Sequence, residues 1–365
     1  ISLSGNPEAN NIRVSSGLSN VDVKLNNLNL AFSKINGEVI YDTANGLSAS
    51  NLQLDSFSGQ ALANIESTQS DNGFDIAITA KGKAELAPIK SWMPLFFMQP
   101  ITGALDYDLS FFIRPPQRGG IELNINTDLT GVEIGVPAPF GKSDQQTIPY
   151  SMQVSMNKDL RINFKYGELA NGVMAIEDGQ LKRGQIYLGT AQAYLPSDQG
   201  LSITGNIDHE LEAQAWWDLW NDIKPKNDKE MTGNVSQQQP SLLSYINVSA
   251  PAINAWQQPM GATQIEGQHK WGRWNFDLTS QMMKGKIIMP DDLENETIEM
   301  DLQHIHMPVS ANTEEEEIRF GGEGTVDTLV DFDPAWIPRL NLKVAEVYLG
   351  TSNFGRWDLS IRQID

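Results

Sequence analysis

Apolar and polar residues alternate along this chain, segment after segment. Val21-Asp22-Val23-Lys24-Leu25 and Ile121-Glu122-Leu123-Asn124-Ile125 are two cases, followed by Leu160-Arg161-Ile162-Asn163-Phe164, Trp274-Asn275-Phe276-Asp277-Leu278, Ile298-Glu299-Met300-Asp301-Leu302 and Leu340-Asn341-Leu342-Lys343-Val344. Successive side chains on a strand point to opposite faces, so a period of two builds a sheet with one greasy face and one wet face. Asn36-Gly37, Asn45-Gly46, Asn72-Gly73, Asn171-Gly172 and Asp178-Gly179 carry hairpin chemistry, and Pro115 to Gly120 reads as a longer hairpin end. That spacing predicts short, consecutive antiparallel strands. Three stretches, Leu129 to Gly141, Ile253 to Gly261 and Val347 to Gly355, share a strand, a turn and a closing glycine, which predicts a repeat-built fold. The fold class is mainly β, with one or two short helices.

Two segments break the alternation. Leu86 to Met98 contains Pro88 and Pro94, which limits it to short helical turns. From His209 to Ile223, within a helix expected over about 207–223, Leu211, Ala215, Trp216, Leu219, Trp220 and Ile223 fall at helical spacing. Pro225 stops that helix, and Lys224 and Lys226 suit its C-terminus. Trp216, Trp217 and Trp220 could face a membrane interface or a sugar, but Glu210, Glu212 and Asp218 leave few cations for lipid headgroups. The favoured role is a plug, with Leu211, Trp216, Leu219 and Trp220 laid over an open sheet edge or face. The polar stretch 226–241 reads as a linker, dividing a first β segment (1–225) from a second (242–365) that continues the same sheet. Glu314 to Glu317 reads as a solvated loop.

Charge and composition narrow the partners. The chain has 365 residues and a formal net charge of -20, from 46 acidic against 26 basic residues. That excludes nucleic acid, whose phosphates need clustered Lys and Arg, and disfavours docking on an anionic membrane surface. The absence of cysteine rules out a disulfide framework and a thiolate catalyst, and is compatible with an oxidising compartment. No run approaches the ~20 apolar residues of a membrane-spanning helix. The chain opens and stops in mid-pattern, so a piece of a longer protein is expected.

Chemistry-bearing motifs are scarce. No nucleophile elbow, P-loop or dinucleotide fingerprint occurs. Gly321-Gly322-Glu323-Gly324 lacks the following Lys-Ser/Thr and reads as a bend in a sheet. His209-Glu210 begins like a zinc-protease motif, but Ala213 stands where the second histidine belongs. His304 and His306 share a strand face and could touch a metal, yet no neighbour supplies a third ligand, so they read as polar-face histidines. Asp106/Asp108 and Asp331/Asp333 also share strand faces, with nothing to hold them across a substrate cleft. No catalytic residue, metal site or cofactor is expected.

The stretch Leu129-Thr130-Gly131-Val132-Glu133-Ile134-Gly135-Val136-Pro137-Ala138-Pro139-Phe140-Gly141-Lys142 resembles a distinctive run of the YhdP family, a branch of the AsmA-like proteins of Gram-negative bacteria. Pro338-Arg339-Leu340-Asn341-Leu342-Lys343-Val344 with Gly355-Arg356-Trp357-Asp358-Leu359, Ile203-Thr204-Gly205 leading to Trp216, and Pro100-Ile101-Thr102-Gly103 ahead of Tyr107 also resemble it, from about residue 45 to the end. The resemblance implies an internal or C-terminal fragment of such a protein. It implies an elongated, curled β-sheet whose open apolar groove passes phospholipids between inner and outer membranes, as for the relatives TamB and YdbH. It places the chain in the periplasm, with the full-length protein anchored in the inner membrane. In that reading Ile125, Ile162, Phe164, Phe276, Leu278, Met300 and Leu342 are candidates for the groove lining. An all-β adhesin or carbohydrate-binding or structural module, with a closed core and Trp256, Trp271 and Trp274 stacking on sugars, is the alternative; an all-β enzyme such as a polysaccharide lyase ranks last. Alternation alone cannot separate a groove from a filled core.

Overall fold

In the computed structural model, residues 11–25, 30–70, 73–92, 98–157, 159–223, 242–255, 258–293, 295–307 and 339–362 are described. The chain is mainly β and forms two compact units, one of residues 1–201 and 214–232, the other of residues 202–213 and 233–365.

The first unit holds β1 (Arg13–Leu25), β2 (Leu30–Asp42), β3 (Gly46–Ser56), β4 (Gly59–Ser70), β5 (Gly73–Glu85), β6 (Ile101–Ile113), β7 (Ile121–Thr127), the short β8 (Val132–Ile134), β9 (Tyr150–Met156), β10 (Leu160–Tyr166), β11 (Ala170–Glu177) and β12 (Gln180–Leu188), with helices α1 (Leu86–Trp92) and α2 (Ala213–Ile223). Each strand pairs antiparallel with the next, except that β7 pairs β9 and β8 turns back onto the start of β6. The register lines up one apolar row, Ile65, Ile78, Phe111, Leu123, Val154, Ile162 and Met174, across seven successive strands. A parallel row runs Ala80, Leu109, Ile125, Met152, Phe164 and Gly172. One step along, on the other face, stand Thr79, Ser110, Asn124, Gln153 and Asn163. Opposed residues share a face, so this register is what the period-two pattern demands.

The second unit contains most of β13 (Gly200–Asn206), β14 (Leu211–Glu212), β15 (Leu243–Ala255), β16 (Gln258–Lys270), β17 (Arg273–Thr279), β18 (Met283–Pro290), β19 (Ile298–Met307), β20 (Leu340–Leu349), β21 (Ser352–Asn353) and β22 (Trp357–Ile361). Its apolar rows are Val248, Ile265, Leu278, Gly285, Leu302, Val344 and Trp357, and beside them Gly267, Phe276, Ile287, Met300, Leu342 and Leu359.

Several expectations from sequence need correction. The sheet is not purely antiparallel: β14 runs parallel to β15, and β19 parallel to β20. Alternation is blind to strand direction, which the connection between strands decides. The strands are also longer than expected, with β1, β2, β5, β6, β15 and β16 each of 13 residues. Asn36-Gly37 lies inside β2, where the register shifts on both sides of Asn36, and Asn171-Gly172 lies inside β11. Gly172 is there for room, since a Cβ would run into the Phe164 ring on the neighbouring strand. By contrast Asp178 and Gly179, at φ 52° and 74°, make the expected tight β11–β12 turn, and Pro115–Gly120 closes β6 onto β7. The helix starts at Ala213, later than the spacing predicts. Leu211 and Glu212 instead join β15 at Ile253 and Asn254, and the Asn254 amide donates to Glu210 (2.6 Å) and Glu212 (2.7 Å), which holds that turn extended. The three look-alike stretches differ too: 129–141 is a cap built around β8, 253–261 takes in the end of β15 and the start of β16, and 347–355 is the β20–β21 hairpin. The linker 226–241, Glu314 to Glu317, Gly321 to Gly324 and Asp331/Asp333 fall outside the described residues, as does Trp256.

Candidate functional site

The apolar face of the first unit is half covered. Ile65, Ile78, Phe111, Leu123, Ile162 and Met174 remain half-buried; in that row only Val154, 8% exposed, is buried. The adjoining Ile125, Met152 and Phe164 are half-buried as well. A sheet closed by a second layer hides such side chains behind partners on every side. Here the elements that pack extensively on these strands are their own sheet neighbours, plus α1 and β8 at one end. The lining candidates Ile125, Ile162 and Phe164 therefore share one face of the first unit, in adjacent rows.

Phe276, Leu278, Met300 and Leu342 likewise share one face of the second unit, in the two rows given above. Cover there is uneven. Phe276, Met300 and Leu342 are half-buried, whereas Leu278 is 8% exposed. Beside them Leu302, Val344 and Val347 form a tight cluster, each 1% exposed. Trp274 stacks on Phe276 with ring centres 5.2 Å apart, and His269 packs on Trp274 while its Nε2 bonds Asp291 at 2.9 Å.

At one end of its strands the first unit's face is capped. Leu86 from α1, Leu129 and Val132 form a buried cluster against Leu105, Tyr150 and Tyr166. The loop that follows β8 is pinned from inside by Lys142. This side chain is buried, and its Nζ donates to the carbonyls of Leu129 (2.8 Å), Ser143 (2.8 Å) and Val132. Burial lowers the Lys142 pKa, opposed by the charges of Asp144 and Asp128. Tyr166 donates its hydroxyl to Phe140 O at 2.9 Å, and burial pushes both Tyr150 and Tyr166 up to about 12. Gly141 fits because a Cβ there would strike Val136 O. Trp216 of α2 meets the Phe140 ring edge-on at 5.8 Å, so the helix rests on this cap. Of the plug candidates, Trp216 and Leu219 are half-buried, Trp220 is 50% exposed, and Leu211 sits in β14.

The opposite face is wet. Lys34 pairs with Asp55 at 2.8 Å and Lys81 with Asp108 at 2.7 Å, and Asp106 stands opposite Lys83. A concavity of about 1020 Å³ lies among these groups. Its ion-paired Lys and Asp residues make it unsuited to hydrocarbon. His304 and His306 also lie on a polar face: His304 stands opposite Lys284, and His306 stacks on Tyr348 at 4.3 Å. Burial, His306 and Lys284 lower the His304 pKa. Among the described residues no group of three His, Cys, Asp or Glu side chains could hold a metal, and no helix is long and apolar enough to cross a membrane.

The cap's structural part was not visible in the sequence. Its signal was the run of Pro137, Pro139, Gly141 and Lys142, which marked a resemblance without showing that the lysine turns inward. Compared with known proteins, the whole chain, residues 1–365, matches the family described as YhdP protein. No curated protein and no solved structure matched it.

Proposed function

The chain belongs to the YhdP family, and from that premise we propose that it is a section of a conduit for phospholipids, its apolar sheet faces passing acyl chains between inner and outer membranes. The observation that carries the reading is the half-buried state of Ile78, Phe111, Leu123, Ile125, Ile162 and Phe164, which stand in adjacent rows on which, among the described helices and strands, no second sheet packs extensively. A two-tailed phospholipid exposes ~30 methylenes, and at ~0.8 kcal/mol each its passage through water opposes transfer by on the order of 20 kcal/mol. A dry apolar surface removes most of that barrier. The task needs no nucleophile, metal or cofactor, so the conduit acts without catalysis. Its partners are phospholipids and, through other parts of the protein, the two membranes. We place the section in the periplasm, in a protein anchored in the inner membrane.

The competing reading, an adhesin or carbohydrate-binding module, requires a closed core. The half-exposed apolar rows of the first unit argue against it. In-cell photocrosslinking with benzoyl-phenylalanine at Ile125, Ile162, Phe276 and Leu342 tests the proposal. Phospholipid adducts are expected at each position, and their absence at all four overturns it in favour of the closed module.

A further inference from the structure

The polar side chains on the first unit's apolar face are gathered in one row. From β5 to β11 every residue on that face is apolar or glycine except Tyr107, Thr127, Tyr150 and Tyr166. Thr127 stands opposite Tyr150, and Tyr150 opposite Tyr166. Tyr107 and Thr127 are the next step beyond the pair Asp108 and Asn126, so the hydroxyls form a single line across β6, β7, β9 and β10. The line runs beside Leu109, Ile125, Met152 and Phe164, at the capped end of the strands. Period two puts it on the same face as these apolar rows.

Not all of these hydroxyls are occupied. Tyr166 donates to Phe140 O at 2.9 Å. Thr127 Oγ1 accepts from Leu129 N at 3.1 Å and still has its own proton to give. Among the described residues the hydroxyls of Tyr107 and Tyr150 have no hydrogen-bond partner, although both side chains are half-buried. A phenol in apolar surroundings normally finds an acceptor, because an O–H taken from water without one costs free energy. Burial raises the pKa of both, so each keeps its proton and remains a donor at neutral pH.

The charge around the row selects the acceptor. No residue of this face from β5 to β11 is charged. Asp128, next to Thr127, is exposed, and Lys142 is spent on carbonyls inside the cap, so the row itself offers no cation to a phosphate or a free carboxylate. Neutral donors beside hydrocarbon suit a neutral acceptor attached to hydrocarbon, which an acyl ester is. Only β7 separates β6 from β9, so Tyr107 and Tyr150 stand about 10 Å apart at ~4.8 Å per strand, and a glycerol backbone carries both of its esters within that span.

Building on the conduit reading above, we propose that the row of Tyr107, Thr127 and Tyr150 binds the acyl-ester carbonyls of a glycerolipid, whose tails lie over Leu109, Ile125, Met152 and Phe164. The phenols donate to the carbonyls, and the phosphate stays outside the apolar face. The row therefore grips what all diacyl lipids share and ignores the headgroup.

The test loads the unaltered 365-residue chain with a fluorescent phosphatidylethanolamine and displaces it with a diacyl phosphatidylcholine or with its dialkyl ether analogue of equal chain length, which lacks the carbonyls. The diacyl lipid is expected to displace the probe at a several-fold lower concentration. In a variant carrying Tyr107→Phe and Tyr150→Phe the two lipids should displace it equally, with the ether lipid acting as it does on the unaltered chain. Equal displacement from the unaltered chain overturns the ester site while leaving the conduit standing, as does an ester preference that survives in the double variant. If the chain binds neither the probe nor either lipid, the ester site and the conduit both fall.

Discussion

Tyr166 stands where the apolar face meets its cap, and its chemistry is set by burial. Like Tyr150 it holds its proton to about 12, against a usual value near 10. The folded state therefore binds the phenolic proton more tightly than the unfolded chain. That contribution to stability is complete below pH 10 and is lost as pH rises toward 12. Spectrophotometric titration should place Tyr150 and Tyr166 among the late phenols, beside the raised Tyr107 and Tyr348, and Tyr166→Phe should remove one phenol from the end of the curve near 12. The same substitution breaks the bond to Phe140 O and should cost about 1 kcal/mol in urea unfolding. His304 and His306 make the opposite case. They belong to the solvated face, so His304→Ala with His306→Ala should leave lipid transfer between donor and acceptor vesicles unchanged. A large loss there would restore a binding part for the pair.

Between elements, glycine and aromatic positions are matched across strands. Gly172 lies opposite Phe164, and Gly267 opposite Phe276, with the ring in each case lying over the space a Cβ would fill. Gly172→Ala must push the Phe164 ring off its strand and should destabilise by about 1–3 kcal/mol. Phe164→Leu added to it should recover part of that loss, a non-additivity readable from urea midpoints. The pairing explains why a hairpin signal at Asn171-Gly172 misleads: the glycine serves packing between strands, not a turn. In α2, by the same logic of neighbours, the Trp216 ring meets Phe140 while its Nε1 is buried without a hydrogen-bond partner. The contact is apolar, as a helix seated on a cap requires.

For the molecule, what matters is whether its apolar faces stay open. Ile162 and Phe276 are half-buried, so an aspartate at either position is only partly desolvated on folding yet places a charge in the lipid's path. Ile162→Asp and Phe276→Asp should each abolish most lipid transfer while circular dichroism keeps the β signal. Ile162→Leu should transfer as the unaltered chain does. Equal transfer by the aspartate variants would mean that acyl chains do not use these faces.

The alternation by itself determined that the chain is mainly β, that its strands carry one apolar and one polar face, and that Ile125, Ile162 and Phe164, or Phe276, Leu278, Met300 and Leu342, fall on a common face. A period of two fixes facing wherever a strand forms, and the register then follows from keeping apolar rows together. Strand direction at β14 and β19 was not legible, because the same pattern serves parallel and antiparallel neighbours. Nor was the late start of α2, since Asn254, some forty residues away in sequence, holds Glu210 and Glu212 extended. The cap needed tertiary structure as well: Lys142 reads as a surface charge until its three carbonyls are brought around it. Above all, alternation is identical for a filled core and a bare one. Only the packing of the whole chain decides which partners an apolar face receives, and among the described helices and strands no second sheet packs extensively on the first unit's face.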